Sequence, residues 1–226
     1  MTFSMVARSA DAALFGVAIA SSSPAVAARC AHGRAGVGAV ATQNITDPAL
    51  GPRILDALRC GPARAALDDA LASTPFGAYR QLLVIGAQGP PAVHSGAKAL
   101  GVVNAVAGAD AAAAGNLLAN AAVPVAMLGA FDSGSGHLGD RLLQALRAGL
   151  DEGGEAGPIH SAGLLIVRDV SWPIVDLRVD WTDDDPVAAL QAIWRLYEPQ
   201  IDDYVRRALN PEGAPGFGVP GSLVPV

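Results

Sequence analysis

The stretch Thr2-Phe3-Ser4-Met5-Val6-Ala7-Arg8 decides the fold, together with Gly16-Val17-Ala18-Ile19-Ala20-Ser21-Ser22 behind it. In both runs, apolar residues alternate with polar ones or follow one another over the length of a strand. The small polar segment 9–12 between them has the composition of a turn. The sequence therefore predicts a β-hairpin at the amino-terminal end of the chain.

Later segments follow one of two periodicities. Apolar residues at helical spacing, with proline or glycine at the boundaries, predict helices. These helices are expected at 52–60, 62–72, 120–131, 138–151 and about 183–210, the last with a bend at Pro199. Short apolar runs predict strands. The strands are expected at 36–43, 79–87, 92–95, 111–118, 161–168 and 174–180.

The order of these segments indicates the fold class. Strands are followed by two helices, strands, two helices, strands and a helix, an order that fits two sheets between helical layers. We therefore predict an α+β fold, a four-layer αββα sandwich. A single domain is expected over residues 1–226, in which the Gly/Pro-rich segment 211–226 is an irregular tail.

Composition argues against several classes of partner. The net charge is -6 and Lys98 is the single lysine, so no concentrated cationic surface is available for nucleic acid. No apolar run approaches the roughly 20 residues that span a bilayer, so no membrane partner is expected. Cys30 and Cys60 have neither metal-type nor redox-type spacing, which favours reduced thiols and a cytoplasmic location.

We expect no cofactor and no metal. Gly36-Val37-Gly38-Ala39-Val40-Ala41 matches the dinucleotide fingerprint as a string, but its glycines fall within a predicted strand instead of opening a helix. The histidines occur singly, without the paired spacing of metal ligands. Two of them, His94 and His160, fall at predicted strand ends and are candidate contacts for a polar substrate.

Thr2 combines two chemical groups if Met1 is removed. A hydroxyl is a weak nucleophile unless a base takes its proton, and an α-amine with a pKa near 8 is a suitable base. A terminal Thr2 supplies both the hydroxyl and the amine. The alternative is that Thr2 is only the polar start of an edge strand.

An export signal is a competing interpretation of the same region. Arg8, the apolar run 12–20 and the small residues 25–28 resemble the three parts of a secretory signal. Cleavage after about residue 28 would remove Thr2. Asp11 and Gly16 interrupt the pattern, which favours a strand instead.

Several stretches together resemble one bacterial family, the domain of unknown function 1028. They are Thr2 to Arg8, Gly16 to Ser21, Arg34 to Asn44, Asp47-Pro48, Gly51 to Arg53, Gly115-Asn116 and Gly216 to Gly221. This family is grouped with the N-terminal-nucleophile (Ntn) hydrolases, so the resemblance implies their αββα sandwich. It also implies amide-bond cleavage in which Thr2 attacks the carbonyl carbon.

The resemblance suggests roles for further residues. In proteasome-type relatives the second strand ends in an acidic residue near the active amine, and here that position is Ser22, with no obvious carboxylate in its place. Asn116 is the expected donor to the oxyanion or the substrate amide. Gln43 and Asn44 are expected to line the substrate pocket with His94 and His160.

We therefore expect an amidohydrolase that cleaves a small, linear or cyclic amide through Thr2, and a homo-oligomer as its assembly. The alternative is a non-catalytic protein that binds a small molecule on the same scaffold.

Overall fold

The structure is a computed structural model that describes residues 2–217. Its strands are β1 (Thr2–Arg8), β2 (Phe15–Ser21), β3 (Ala31–Arg34), β4 (Gly38–Asn44), β5 (Arg80–Gly86), β6 (Ala92–Ser95), β7 (Asn104–Ala107), β8 (Ala111–Asn116), β9 (Ser161–Val167) and β10 (Val175–Val179). Its helices are α1 (Val26–Cys30), α2 (Leu50–Ala57), α3 (Ala63–Ala72), α4 (Val123–Ser133), α5 (Leu138–Asp151), α6 (Pro186–Tyr197) and α7 (Ile201–Leu209).

The strands form two antiparallel sheets. The six-stranded sheet has the order β10-β9-β2-β1-β8-β7, and the four-stranded sheet has the order β3-β4-β5-β6. The predicted α+β fold with a hairpin at its start is confirmed, because β1 pairs with β2 in register from Phe3 opposite Ala20 to Arg8 opposite Phe15. The strand β1 lies in the interior of the larger sheet, between β2 and β8.

Alternation along β1 separates two cores. Phe3, Met5 and Ala7 join the apolar cluster formed with α4, α5 and α6 on one face of the larger sheet. Val6 joins a second cluster, which lies between the two sheets and includes residues of β4 and β5. A third cluster joins α2 and α3 to the outer face of the smaller sheet. Successive side chains of β1 therefore point alternately toward helices and toward the other sheet.

Three elements were absent from the sequence prediction. They are α1, β3 and β7, and each lies in a segment rich in alanine, glycine or valine whose pattern is neither clearly helical nor clearly extended. The predicted strand 36–43 begins two residues later, at Gly38, because Gly36 adopts a left-handed conformation with φ 67° in the turn before it.

The carboxy-terminal helices follow the prediction closely. Asp185 caps α6 by accepting hydrogen bonds from the backbone N–H groups of Val187 and Ala188. The bend expected at Pro199 is a 3₁₀ turn, Glu198–Gln200, between α6 and α7. Of the predicted tail 211–226, residues 218–226 lie outside the described residues, as do the last four residues of the Gly216 to Gly221 motif.

Two observations concern membranes and export. In the part of the chain that the structure describes, no helix has the length and apolar character needed to cross a bilayer. Cleavage after residue 28 would remove β1 and β2, two interior strands of the larger sheet, so the folded structure does not fit the export-signal alternative.

Two helical glycines should respond oppositely to alanine. A Cβ at Gly139 would lie 2.5 Å from two ring carbons of Trp194, whose Nε1 donates to Asp140 and holds the ring in place. A Cβ at Gly129 would meet no atom within 4 Å. We expect Gly139→Ala to lower the free energy of unfolding by about 1–3 kcal/mol, and Gly129→Ala to raise it by about 0.5–1 kcal/mol. Urea unfolding of both variants tests this, and equal effects would contradict the packing described.

Candidate active site

Thr2 stands at the start of β1, with its side chain in the space between the sheets. Its side chain shares this face with those of Ser4 and Val6, because residues two apart in a strand point the same way. Thr2 is 5% exposed, and its Oγ1 lies 3.3 Å from Ser21 Oγ. The Thr2 hydroxyl therefore lies between the sheets, at the first residue of a central strand and beside the hydroxyl of Ser21.

Strand register places other polar residues level with Thr2. Asn116 of β8 lies opposite Thr2 on one side, and Ser21 of β2 lies on the other, one position beyond the Phe3–Ala20 pair. Ser161 of β9 is in turn opposite Ser21. Four polar side chains thus form a row across the larger sheet at the same end, in place of the apolar residues that fill the rest of this layer.

A chain of buried hydrogen bonds joins the two sheets beneath this row. Ser4 Oγ donates to Gln43 Oε1 at 2.5 Å, and Gln43 Nε2 donates to Gln81 Oε1 at 2.7 Å. Asn116 Nδ2 donates to the same Gln81 oxygen at 3.0 Å. All four residues are 1% exposed or less, so each bond satisfies a polar group that would otherwise be buried without a partner.

Backbone carbonyls fix the direction of these bonds. Gln81 Nε2 donates to Gly115 O at 3.0 Å. Because a backbone carbonyl oxygen can only accept, the atom that faces it must be the Gln81 side-chain nitrogen. Gln81 Oε1 is therefore the acceptor of this side chain. Asn116 must then turn its NH₂ group toward Gln81. The Ala114 carbonyl, 3.3 Å from Gln43 Nε2, fixes Gln43 in the same way.

The fixed polarity determines what Asn116 can offer. One N–H of its Nδ2 donates to Gln81 Oε1, and its Oδ1 is buried with no hydrogen-bond partner among residues 2–217. An amide NH₂ group has two N–H donors, so the hydrogen bond to Gln81 accounts for only one of them, and Oδ1 is an acceptor in addition. Asn116 lies opposite Thr2 in the sheet, where the sequence predicted it, and its role as a donor stays a prediction.

The structure adds a carboxylate that sequence reasoning missed. Glu155 is 4% exposed and follows α5 in a turn that contains Gly153 and Gly154, both with positive φ. Its Oε1 accepts a hydrogen bond of 3.1 Å from the backbone N–H of Ser22. Its Oε2 is buried without a hydrogen-bond partner in the described part of the chain.

Burial changes the acidity of this group. Removal from water raises the pKa of the Glu155 carboxyl to about 7, and hydrogen bonds from Ser22 act in the opposite direction. A carboxylate with this pKa can gain or lose a proton near neutrality. One signal in the sequence points to it, a Glu directly after two glycines, although that pattern more often ends a helix on the surface.

Ser22 and Asn44 serve local structure. Ser22 contributes its backbone N–H to Glu155, and it is half-buried. Asn44, with φ 70°, donates from Nδ2 to Tyr79 O at 2.6 Å and accepts at Oδ1 from the Leu100 N–H at 3.1 Å. Both ends of its amide therefore hold neighbouring loops together, while Gln43 belongs to the network between the sheets.

The two candidate histidines lie in different places. His94 is paired with Leu82, which faces α2 and α3, and its Nε2 lies 2.9 Å from Gly77 O. It therefore lies on the opposite face of the smaller sheet from Gln81, and the structure does not bring it to Thr2. His160 lies near the row of polar residues, because its backbone N–H donates to Ser21 O. Its ring stacks on that of Trp181, with 4.2 Å between the ring centroids.

Comparison with known proteins identifies the family. Residues 2–190 match the model of a family of unknown function, DUF1028, and the chain belongs to that family. The structure is similar to the crystal structure of a DUF1028 protein from Silicibacter pomeroyi, with 28% identity, coverage of 91% of this chain and 94% of that one, and a TM-score of 0.81.

Other comparisons are weaker. Anbu, an ancestral β-subunit from Yersinia bercovieri, is 12% identical, with coverage of 90% of this chain and 97% of that one and a TM-score of 0.37. A search of curated proteins finds no match to the chain.

The pKa of Glu155 predicts a pH-dependent stability. The folded value of about 7 exceeds the ordinary value of 4.5, so between these pH values the folded state keeps a proton that the unfolded state has released. The free energy of unfolding should therefore fall as the pH rises through this range. In a form of the protein that retains Met1, we expect Glu155→Gln to be more stable than the unsubstituted chain by about 1–3 kcal/mol near pH 8, and this difference to shrink toward pH 5.

Urea unfolding at both pH values measures this difference. Glu152→Gln is the matched control, because Glu152 lies in the same turn but is exposed. Parallel pH profiles for the unsubstituted chain and Glu155→Gln, both with Met1 retained, would contradict a raised pKa at Glu155.

Proposed function

We propose that this protein is an Ntn-type amidohydrolase that cleaves a small, linear or cyclic amide through Thr2. The position of Thr2 carries the proposal: it starts a central strand and points between the sheets, with Ser21 Oγ at 3.3 Å. The order of layers, with helices outside two facing sheets, fits the αββα sandwich of Ntn hydrolases. Cytoplasmic location and a homo-oligomeric assembly belong to the same proposal.

The reaction would use both groups of a terminal Thr2. Oγ1 attacks the carbonyl carbon of the amide while its proton passes to the α-amine. The amine gives that proton to the leaving nitrogen, the C–N bond breaks, and the acyl group remains as an ester on Thr2. Water then attacks the ester, which releases the acid and restores the hydroxyl.

A non-catalytic small-molecule-binding protein is the second candidate. The observation that favours it is a cavity of about 600 Å³ lined by the connections 36–37, 58–62 and 86–89. The Arg8 end of β1 adjoins this region, because its guanidinium donates to Gly86 O and Gly89 O. The cavity therefore lies at the opposite end of β1 from Thr2, where a ligand would not meet the nucleophile.

Removal of Met1 is the first requirement of the catalytic proposal. We expect the intact mass of the purified protein to equal that of the chain from Thr2 to Val226. A mass that includes Met1 would contradict the catalytic proposal and favour the binding protein.

Substitution of Thr2 tests the nucleophile. A screen of amides and lactams by thermal shift would find a ligand, and product analysis would show turnover. We expect Thr2→Ala to lose about a thousandfold or more in turnover while it still folds and binds that ligand, because the attacking oxygen is absent. Thr2→Ser should keep part of the activity. Undiminished turnover in Thr2→Ala would exclude Thr2 as the nucleophile.

A further inference from the structure

The turn that carries Glu155 crosses the end of β1. On the β8 side, Leu118 and Glu155 form an isolated bridge, and the Ala156 N–H donates to Leu117 O. On the β2 side, the Glu155 carboxylate reaches the Ser22 N–H. Because β1 lies between β8 and β2, a residue that contacts both neighbours beyond their ends passes over the strand end where Thr2 lies.

The direction of β1 points Thr2 toward this carboxylate. Because β1 and β2 run in opposite directions, the backbone nitrogen of Thr2 and the backbone carbonyl of Ser21 point toward the same end of the sheet. Ser22 follows Ser21 at that end. The Ser22 N–H is the group that donates to Glu155 Oε1. The α-nitrogen of Thr2 is therefore directed toward the level at which Glu155 is held.

Two buried acceptors belong to residues at this end of β1. Glu155 Oε2 and Asn116 Oδ1 are both buried without a hydrogen-bond partner among the described residues. Buried acceptors of this kind are rare and costly, and an ammonium group with three N–H donors would satisfy both. A serine or threonine hydroxyl of the row has a single O–H donor, fewer than the three N–H donors of an ammonium group.

We propose that Glu155, assisted by Asn116 Oδ1, holds the α-ammonium group that Thr2 carries once Met1 has been removed. Glu155 is then the carboxylate that position 22 lacks, supplied from a residue far along the chain. It is a positioning residue: it keeps the amine beside Oγ1, and it stabilises the charge that the amine acquires when it takes the hydroxyl proton. This inference rests on the proposed function.

One further titratable group acts on Glu155. The charged form of His160 lowers the pKa of the Glu155 carboxyl. The His160 ring is held by Thr182 O, 2.8 Å from Nδ1, and Asp183 Oδ1 lies 3.6 Å from the same nitrogen.

NMR titration of the full-length protein tests the proposal without a substrate. The α-amine nitrogen of ¹⁵N-labelled Thr2 is followed against pH in the natural protein, in Glu155→Gln and in Glu152→Gln. We expect the pKa of the amine to be lower by one unit or more in Glu155→Gln, because an ammonium group in a buried site loses its counter-charge. Glu152→Gln should match the natural protein.

The natural protein alone provides a second test if Glu155→Gln does not fold. When two ionisable groups interact strongly, the NMR signal of each one changes as the other gains or loses its proton. The Thr2 nitrogen and the Glu155 side-chain carboxyl carbon should therefore show the same two titration steps. Independent curves, or an unchanged amine pKa in a folded Glu155→Gln, would overturn the role of Glu155 while leaving Thr2 as nucleophile intact. A retained Met1 would overturn both proposals.

Discussion

The hydrogen bond from Gln81 Nε2 to the Gly115 carbonyl oxygen sets the polarity of the space between the sheets. A backbone carbonyl cannot donate, so this bond orients Gln81, which in turn orients Asn116. The same logic, applied at Ala114 O, orients Gln43 and lets it accept from Ser4. The network is buried, and reversing any amide would place like groups against each other, so the polarity is strongly determined.

This polarity explains why the Thr2 end of β1 favours a group that donates hydrogen bonds. The network uses one N–H of Asn116 and leaves its Oδ1 without a hydrogen-bond partner among the described residues, and Glu155 Oε2 is a second buried acceptor of this kind. An apolar core would have tolerated neither group. Keeping these acceptors buried is costly, which favours a binding site over a packing layer, and Thr2 is the residue of β1 that lies level with Asn116.

Local patterns predicted the elements that have distinct periodicity. The hairpin of β1 and β2, the helical face of α5 and the Asp185 cap follow from neighbouring residues alone. The strand β3 and helix α1 could not be predicted, since small residues fit either state. Glu155 was missed for a different reason: its hydrogen bond to Ser22 joins residues 133 positions apart, and only the tertiary path of the turn brings them together.

Covalent labelling can show whether Thr2 is a terminal nucleophile. A β-lactone probe would acylate an activated hydroxyl, and tryptic cleavage after Arg8 would release the strand β1 as a single peptide, Thr2–Arg8. We expect the adduct on Thr2 in that peptide, and its loss in Thr2→Ala. An adduct confined to another residue, such as the exposed Cys60, or a labelled peptide that still carries Met1, would contradict it.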